Sequence, residues 1–342
     1  MYQNAGTPIF YVSILQWLKA QGMIASVGGS AQISDDEKLS LIDVNPTQQV
    51  SIHNAEAEQF IGIEYIIEGS LKSYMPENKN FQMFLAHNLV SGGGAGLAFR
   101  AFDTTHDWVA STDYLNYPQH HANYNGFSIG IGNDAHDIIN DIALTIITHE
   151  TGETYKLGCA LYGTYYEMPH SPDLSLTMRR EYDGTKTMET KGGVSLSNTF
   201  YSKPPNWGDL GAWELGNYPV TKKLGASGRR VWDLSFSYLD DGDMLGLNQR
   251  YGQTEWGDFS RSDYDTDDID NSNNYKYNIL TDNNFYSQVI HKTNGGQLPF
   301  VFQPNSLDKT QYAICKLDQS SINFKQVAHG VYNISLKIRE VW

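Results

Sequence analysis

Apolar and polar residues alternate with a period of two along much of this chain, the pattern of strands with one buried face. It is clearest in "GVYNISLKIREVW", where Tyr332, Ile334, Leu336 and Ile338 alternate with Asn333, Ser335, Lys337 and Arg339. The four apolar residues are expected to face a core, with Trp342 buried there or against an adjoining subunit. "GRRVWDLSFSYL" repeats the pattern, with Trp232, Leu234, Phe236 and Tyr238 on one face and Val231, Asp233, Ser235 and Ser237 on the other. "FIGIEYIIEG", "FQMFLAHNLV", "LAFRAFD", "GFSIGIG" and "IALTIITHETGETYKLGCALYGTYYEMP" add further strands. Two stretches depart from this period. "TPIFYVSILQWLKAQGMI" reads as a strand followed by a short helix with Ile14, Leu15 and Leu18 on one face. In "DNNFYSQVIHKTNGG", Phe285, Val289 and Ile290 sit at helical spacing, and Gly295-Gly296 ends the helix.

Turn residues divide the chain into three parts. Residues 1–50 form an N-terminal arm too small to hold its own core, so it must pack on the rest of this chain or on a neighbour. Residues 51–170 carry short strands with Gly and Asn turns, the spacing of a sandwich or jelly roll. Residues 171–342 begin with "LSLTMRREYDGTKTMETKGGVSLSNTFYS", with turn signals at Asp183-Gly184 and Gly192-Gly193. They also hold "SDYDTDDIDNSNNYKY", an acidic stretch poor in apolar residues, read as an insertion loop over about 252–278 that is dispensable for folding. The fold class expected is all-β, with little helix.

Composition agrees with strands and turns. The chain has 342 residues, with 22 Tyr, 31 Gly and only 18% charged residues, whereas a disordered chain is poor in aromatics and rich in charge. A net charge of -15 argues against a nucleic-acid binder, since phosphates are held by basic surface. Cys159 and Cys315 match no metal spacing and are expected as free buried thiols. The opening residues lack a basic start and a long apolar run, and no segment approaches the ~20 apolar residues of a membrane span. Neither a secretory leader nor a membrane partner is expected.

No catalytic motif stands out. The histidines His106, His120, His121 and His136 fall in polar segments, and adjacent histidines on an extended chain point opposite ways. The run Asp263, Asp265, Asp267, Asp268 and Asp270 fails the helix–loop–helix calcium pattern, because positions six and twelve hold Asp268 and Asn274 rather than Gly and Glu. "SGGGAG" lacks the Lys and helix of a phosphate loop. No catalytic residue, metal ligand or cofactor is therefore expected. Trp108 and Tyr114 are speculative glycan contacts, though core or interface packing is the commoner fate of such aromatics. Trp232, Phe300, Phe302, Tyr332 and Trp342 are candidates for a core or an interface.

The runs "HSPDLSLTM", "GRRVWDLSFSYL", "FYSQVIHKTNGGQLPFVFQP" and "FKQVAHGVYNISLKIREVW", in that order, resemble the virion structural proteins of marine tailed phages. The C-terminal part is similar to the tail-tube-derived β-sandwich domain, with one short helix, of bacteriophage tail-tip and distal tail proteins. The "AHNL" and "LGCALYG" runs make the middle part similar to galactose-binding-like jelly rolls. The resemblance covers most of residues 80–342. It implies a non-enzymatic homo-oligomer in the virion tail, made in the host cytoplasm. That protein would be a distal tail, tail-tip or baseplate ring of three or six copies joining the tail tube to tip or fibre proteins, through which DNA passes unbound. Two other readings stand beside it. A carbohydrate-binding adhesin module predicts sugar binding by the middle region. A glycan-cleaving tail enzyme predicts a cleft with two carboxylates and turnover of polysaccharide.

Overall fold

The computed structural model describes residues 6–46, 48–54, 60–76, 79–89, 96–102, 108–111, 115–116, 127–132, 141–147, 152–174, 176–181, 184–200, 206–207, 210–211, 229–245, 279–308 and 311–341. The protein is all-β, with a few short helices. Among the described residues, the largest sheet has ten strands. Its order runs Thr177–Glu181, Arg229–Asp240, Val331–Glu340, Ala313–Leu317, Phe300–Gln303, Ile9–Ser13, Cys159–Glu167, Asn80–Leu85 and Phe127–Gly132, with Lys325–Ala328 alongside Val331–Glu340. A second sheet runs Ile24–Gly28, Phe60–Ile67, Asp141–Ile147, Gly96–Phe102 and Trp108–Ser111, with Leu115–Asn116 beside Gly96–Phe102.

The strand from the N-terminal arm sits in the middle of the larger sheet. Ile9–Ser13 pairs antiparallel with Cys159–Glu167 on one side and with Phe300–Gln303 on the other. All five of its residues are buried, which explains its unbroken apolar run. Phe10 packs within 5.1–5.6 Å of the rings of Phe285, Phe300 and Phe302. Tyr11 reaches Phe81 of Asn80–Leu85, one strand beyond Cys159–Glu167, and donates its hydroxyl to Gln303 Oε1 at 2.9 Å. Ser13 then caps the helix Ile14–Ala20, accepting from the Gln16 amide.

Two apolar cores result. One lies between the sheets and collects Ile61, Ile63, Tyr65, Leu97, Phe99, Ile142 and Leu144 from the smaller sheet against Phe84, Ala160 and Tyr162 from the larger. Phe84 stacks on Phe99 there, with ring centroids 5.6 Å apart. The strand–helix unit sends Ile14, Leu15, Trp17 and Leu18 into the same core. The second core takes Phe81, Met83 and Leu161, the side chains of Ile9–Val12, the inner faces of the last strands, and Phe285 and Val289. Strands of the larger sheet such as Asn80–Leu85 are therefore buried on both faces.

The C-terminal strands follow the alternation with one exception. Tyr332, Ile334, Leu336 and Ile338 are all buried, with Trp232, Leu234 and Phe236 opposite. The pairing shifts between Phe236 and Leu239, and Tyr238 takes φ 62°. This bulge sends Leu239 to the core and leaves Tyr238 exposed, reversing the face assigned to Tyr238 by alternation. The Gly192-Gly193 turn joins a hairpin, Gly184–Glu189 with Ser195–Phe200, and among the described residues Thr177–Glu181 pairs with Arg229–Asp240; Asp183, of the other turn signal, lies outside the described residues. The helical expectation near Phe285 is met by a π-helical turn, Tyr286–Ile290, continuing as a 3-10 turn, His291–Thr293. It stops at Asn294, Gly295 and Gly296, all with positive φ.

Two substitutions test this construction. A Cβ on Gly163 would stand 2.0 Å from the Val12 carbonyl oxygen and 2.7 Å from the Ile14 nitrogen, backbone atoms with no room to yield. Gly163→Ala is expected to cost about 3 kcal/mol or more in chemical denaturation, at or above the upper end of ordinary overpacking. At the other end of the chain, Glu340 is buried against Arg230. Removing residues 340–342 leaves that guanidinium without its carboxylate, and a loss of about 3–5 kcal/mol is expected in the same measurement.

Candidate functional site

The outer face of the last strands is polar where the inner face is apolar. Alternation places Asp233, Ser235 and Ser237 beside Asn333, Ser335, Lys337 and Arg339 on that face. Its charges are paired: Arg179 with Asp233 at 3.0 Å, Arg339 with Glu181 at 2.9 Å and Lys337 with Asp318 at 2.5 Å. All three pairs are partly exposed, so each contributes little stability. The buried pair near the end of the sheet is different in kind. Arg230 donates to both carboxylate oxygens of Glu340, at 2.8–3.1 Å, and to the Tyr312 carbonyl at 2.9 Å, with its guanidinium 5.2 Å from the Trp232 ring centroid.

A cleft of about 570 Å³ opens on this face. Ser235, Phe236, Ser237, Asn333, Ile334 and Ser335 contribute from the two long strands, and Asp173 and the 319–325 segment complete the lining. Part of this lining is tied down internally. Ser237 Oγ donates to Asp173 Oδ2 at 2.8 Å, and Gln319 Oε1 accepts from the Lys337 amide at 2.6 Å. The bulge borders the cleft: Tyr238 follows Ser237, and its amide donates to Asn333 Oδ1 at 3.0 Å. A bulky residue held in the left-handed region costs on the order of 1–2 kcal/mol, and Tyr238 is nonetheless 78% exposed.

A second surface feature is apolar. In the hairpin of Gly184–Glu189 and Ser195–Phe200, Met188 pairs with Leu196 on one face, and Val194 precedes Leu196 by two residues. All three are exposed, as are Leu174, Leu176 and Met178 on and before the edge strand. Among the described residues the hairpin pairs with no third strand.

The residues singled out in the sequence do not meet in one place. Trp232, Phe300, Phe302 and Tyr332 lie in the second core, each nearly or fully buried. Trp108 opens the strand Trp108–Ser111. Tyr114, Trp342, the four polar-segment histidines and the acidic loop lie outside the described residues. Both cysteines are free and buried, and burial pushes both thiols well up, which keeps them protonated and inert. Among the described residues no group of His, Cys, Asp and Glu is arranged to hold a metal ion, and no helix is long and apolar enough to cross a membrane.

Lys292 and His87 are among the buried titratable residues that escaped sequence reasoning. Lys292 is fully buried and donates to Gln288 Oε1 at 2.6 Å, which also accepts the Thr164 hydroxyl. Burial pulls its pKa well down. His87 shares a 2.9 Å hydrogen bond between its Nε2 and Ser128 Oγ, with both residues buried. A serine beside a histidine is the start of a nucleophilic pair, but His87 Nδ1 meets no carboxylate or other partner among the described residues, and Ser128 is closed off from solvent. Both sit within polar-looking words, "AHNL" and "IHKTN", where only tertiary packing decides exposure.

No protein-family model matches the chain. No curated protein matches it in sequence. Several solved structures align with parts of it. The carbohydrate-binding module CBM32-3 from a family 31 glycoside hydrolase of Clostridium perfringens aligns at 12% identity over 42% of this chain and 92% of its own, with a TM-score of 0.30. CBM32-1 from a family 31 glycoside hydrolase of the same organism aligns at 7% identity over 42% of this chain and 96% of its own, with a TM-score of 0.27. The enzymatically active domain of tailspike protein 4 of bacteriophage CBA120 aligns at 10% identity, with a TM-score of 0.23, over 34% of this chain and only 15% of its own.

His87 makes a measurable pH signature. Desolvation lowers its pKa from 6.5 to about 4 in the folded protein. Above pH 6.5 both states hold it neutral, and between 6.5 and 4 the unfolded chain takes up a proton that the folded chain refuses. Its contribution to stability is thus complete above pH 6.5 and falls by about 3 kcal/mol as pH drops to 4, at 1.36 kcal/mol per unit. Denaturation of wild type and His87→Gln at pH 7 and pH 4.5 is expected to show a smaller acid loss in the variant, by about 2–3 kcal/mol.

Proposed function

We propose that this chain is a structural, non-catalytic component of a bacteriophage tail, of the distal tail, tail-tip or baseplate type, that assembles with copies of itself into a ring of three or six around the tail axis. The observation that carries this reading is the order of elements in the C-terminal part. A long strand, Arg229–Asp240, precedes a short helix ending near Thr293, and Phe300–Gln303, Ala313–Leu317, Lys325–Ala328 and Val331–Glu340 follow. Apart from the added strand Lys325–Ala328, this is the order that the resemblance to tail-tube-derived domains implies, and all five strands join one sheet. The motifs "GRRVWDLSFSYL" and "LPFVFQP" form its buried strands rather than exposed loops.

Assembly would use the apolar hairpin. A two-stranded hairpin alone is marginally stable in water, and Met188, Val194 and Leu196 expose apolar surface that a monomer has no use for. A second copy of the chain is the occupant this reading requires. The net charge of -15 suits the wall of a channel that passes DNA without holding it. Such a ring would join the tail tube to tip or fibre proteins within the virion.

Light scattering coupled to size-exclusion chromatography tests the reading on the full chain. Wild type is expected to elute at three or six times the chain mass. The double variant Met188→Glu, Leu196→Glu is expected to elute as a monomer with an unchanged melting temperature. A wild-type monomer at the highest soluble concentration, or an oligomer indifferent to both substitutions, overturns it.

A further inference from the structure

We infer that the polar cleft on the outer face of the last strands is a binding site for a neutral saccharide, one or two sugar units of a larger glycan. The site is separate from the middle region that resembles galactose-binding-like jelly rolls, and it does not rest on ring assembly, since one copy of the chain carries all of its lining.

Chemistry selects the ligand class. The volume of about 570 Å³ lies in the range of small-ligand pockets. Serine, asparagine and glutamine supply most of the lining residues, and the two apolar ones, Phe236 and Ile334, have their side chains buried in the core. Ser235, Ser321, Asn323, Lys325 and Ser335 make no side-chain hydrogen bond to the described residues, so their donors and acceptors are open to a ligand. A metal ion would need several carboxylates, and the cleft has one, Asp173, already engaged by Ser237. A phosphate or nucleic acid would need more positive charge than Lys325 alone. A lipid or aromatic ligand would need an apolar wall. A ligand with many hydroxyls and no charge meets donors and acceptors together, and serine and asparagine supply both.

Tyr238 is the second observation. An exposed tyrosine in the left-handed region is an outlier for a bulky residue. Strain of this kind persists where surrounding structure imposes it, and it clusters at ligand sites. Here the bulge leaves an aromatic side chain in solvent one residue after Ser237 of the cleft, and the Tyr238 amide is tied to Asn333, itself a lining residue. An amphipathic ring next to a hydroxyl-rich cleft suits the apolar face of a sugar.

The test uses the purified full chain on a printed array of bacterial capsular and lipopolysaccharide glycans, with calorimetric titration of any saccharide retained. Wild type is expected to bind at least one glycan. Ser335→Trp, which fills the cleft from an exposed strand position, is expected to weaken that binding at least tenfold. Tyr238→Gly removes the ring and suits the positive φ, so it is expected to weaken binding several-fold while the melting temperature holds or rises. A purely structural role for Tyr238 would leave binding unmoved. If Ser335→Trp melts lower than wild type, Ser321→Trp replaces it, with the same loss expected. No retained glycan, or binding unchanged in the folded cleft-filling variant and in Tyr238→Gly, overturns the site. Neither result bears on the oligomer mass that tests the ring.

Discussion

The fold depends on five residues, Ile9–Ser13, lying between Cys159–Glu167 and Phe300–Gln303. Without that strand, the strands of the middle region and those of the C-terminal region share no hydrogen-bonded ladder near the centre of the sheet. Its insertion leaves almost no tolerance on one side, because Gly163 must stay without a side chain for the backbones to meet. Its aromatic residues face both ways, Phe10 toward the C-terminal aromatics and Tyr11 toward Phe81 and Gln303. The helix that follows carries the chain directly into the other core. One short segment thereby couples two cores through covalent continuity and two ladders at once.

That coupling explains why the outer face of the C-terminal strands is free to be polar. The inner residues of Arg229–Asp240 and Val331–Glu340 are held by the core that Ile9–Ser13 completes. The face opposite packs only at its Val231 end and beyond it carries serines, asparagines and paired charges. Arg230 and Glu340 share the parity of the inner face instead: their charges are withdrawn from water, and mutual bonding plus the Tyr312 carbonyl makes that burial tolerable. The cleft and the strained Tyr238 follow from the same layout, since the bulge keeps Leu239 in the core and turns the tyrosine out.

Period-two alternation was enough to read the all-β class and the core faces of the last strands, because every second side chain must enter a core whatever its partners are. The strand and helix of the first twenty residues were legible from a departure from that period, an apolar run followed by Ile14, Leu15 and Leu18 on one helical face. Alternation misassigned Tyr238 because a bulge adds a residue to one strand, a pairing event invisible in one strand's own pattern. A turn signal such as Asp183-Gly184 states that the chain can bend and is silent about which strand accepts the edge. The cleft was not legible at all, since Asp173, Ser235, Lys325 and Ser335 are ordinary surface residues until the sheet assembles them.

What the sequence alone determined is local: which segments are strands, where Gly and Asn bend the chain, and which faces are apolar. These follow from steric and solvation preferences of residues two to four positions apart. What only the tertiary structure decided is non-local: that Ile9–Ser13 is central rather than peripheral, that Lys292 and His87 are buried, that Arg230 finds Glu340 across 110 residues, and that a polar cleft exists. Each of these depends on which distant strands pair and on water being excluded between them, and no window of neighbouring residues contains that information.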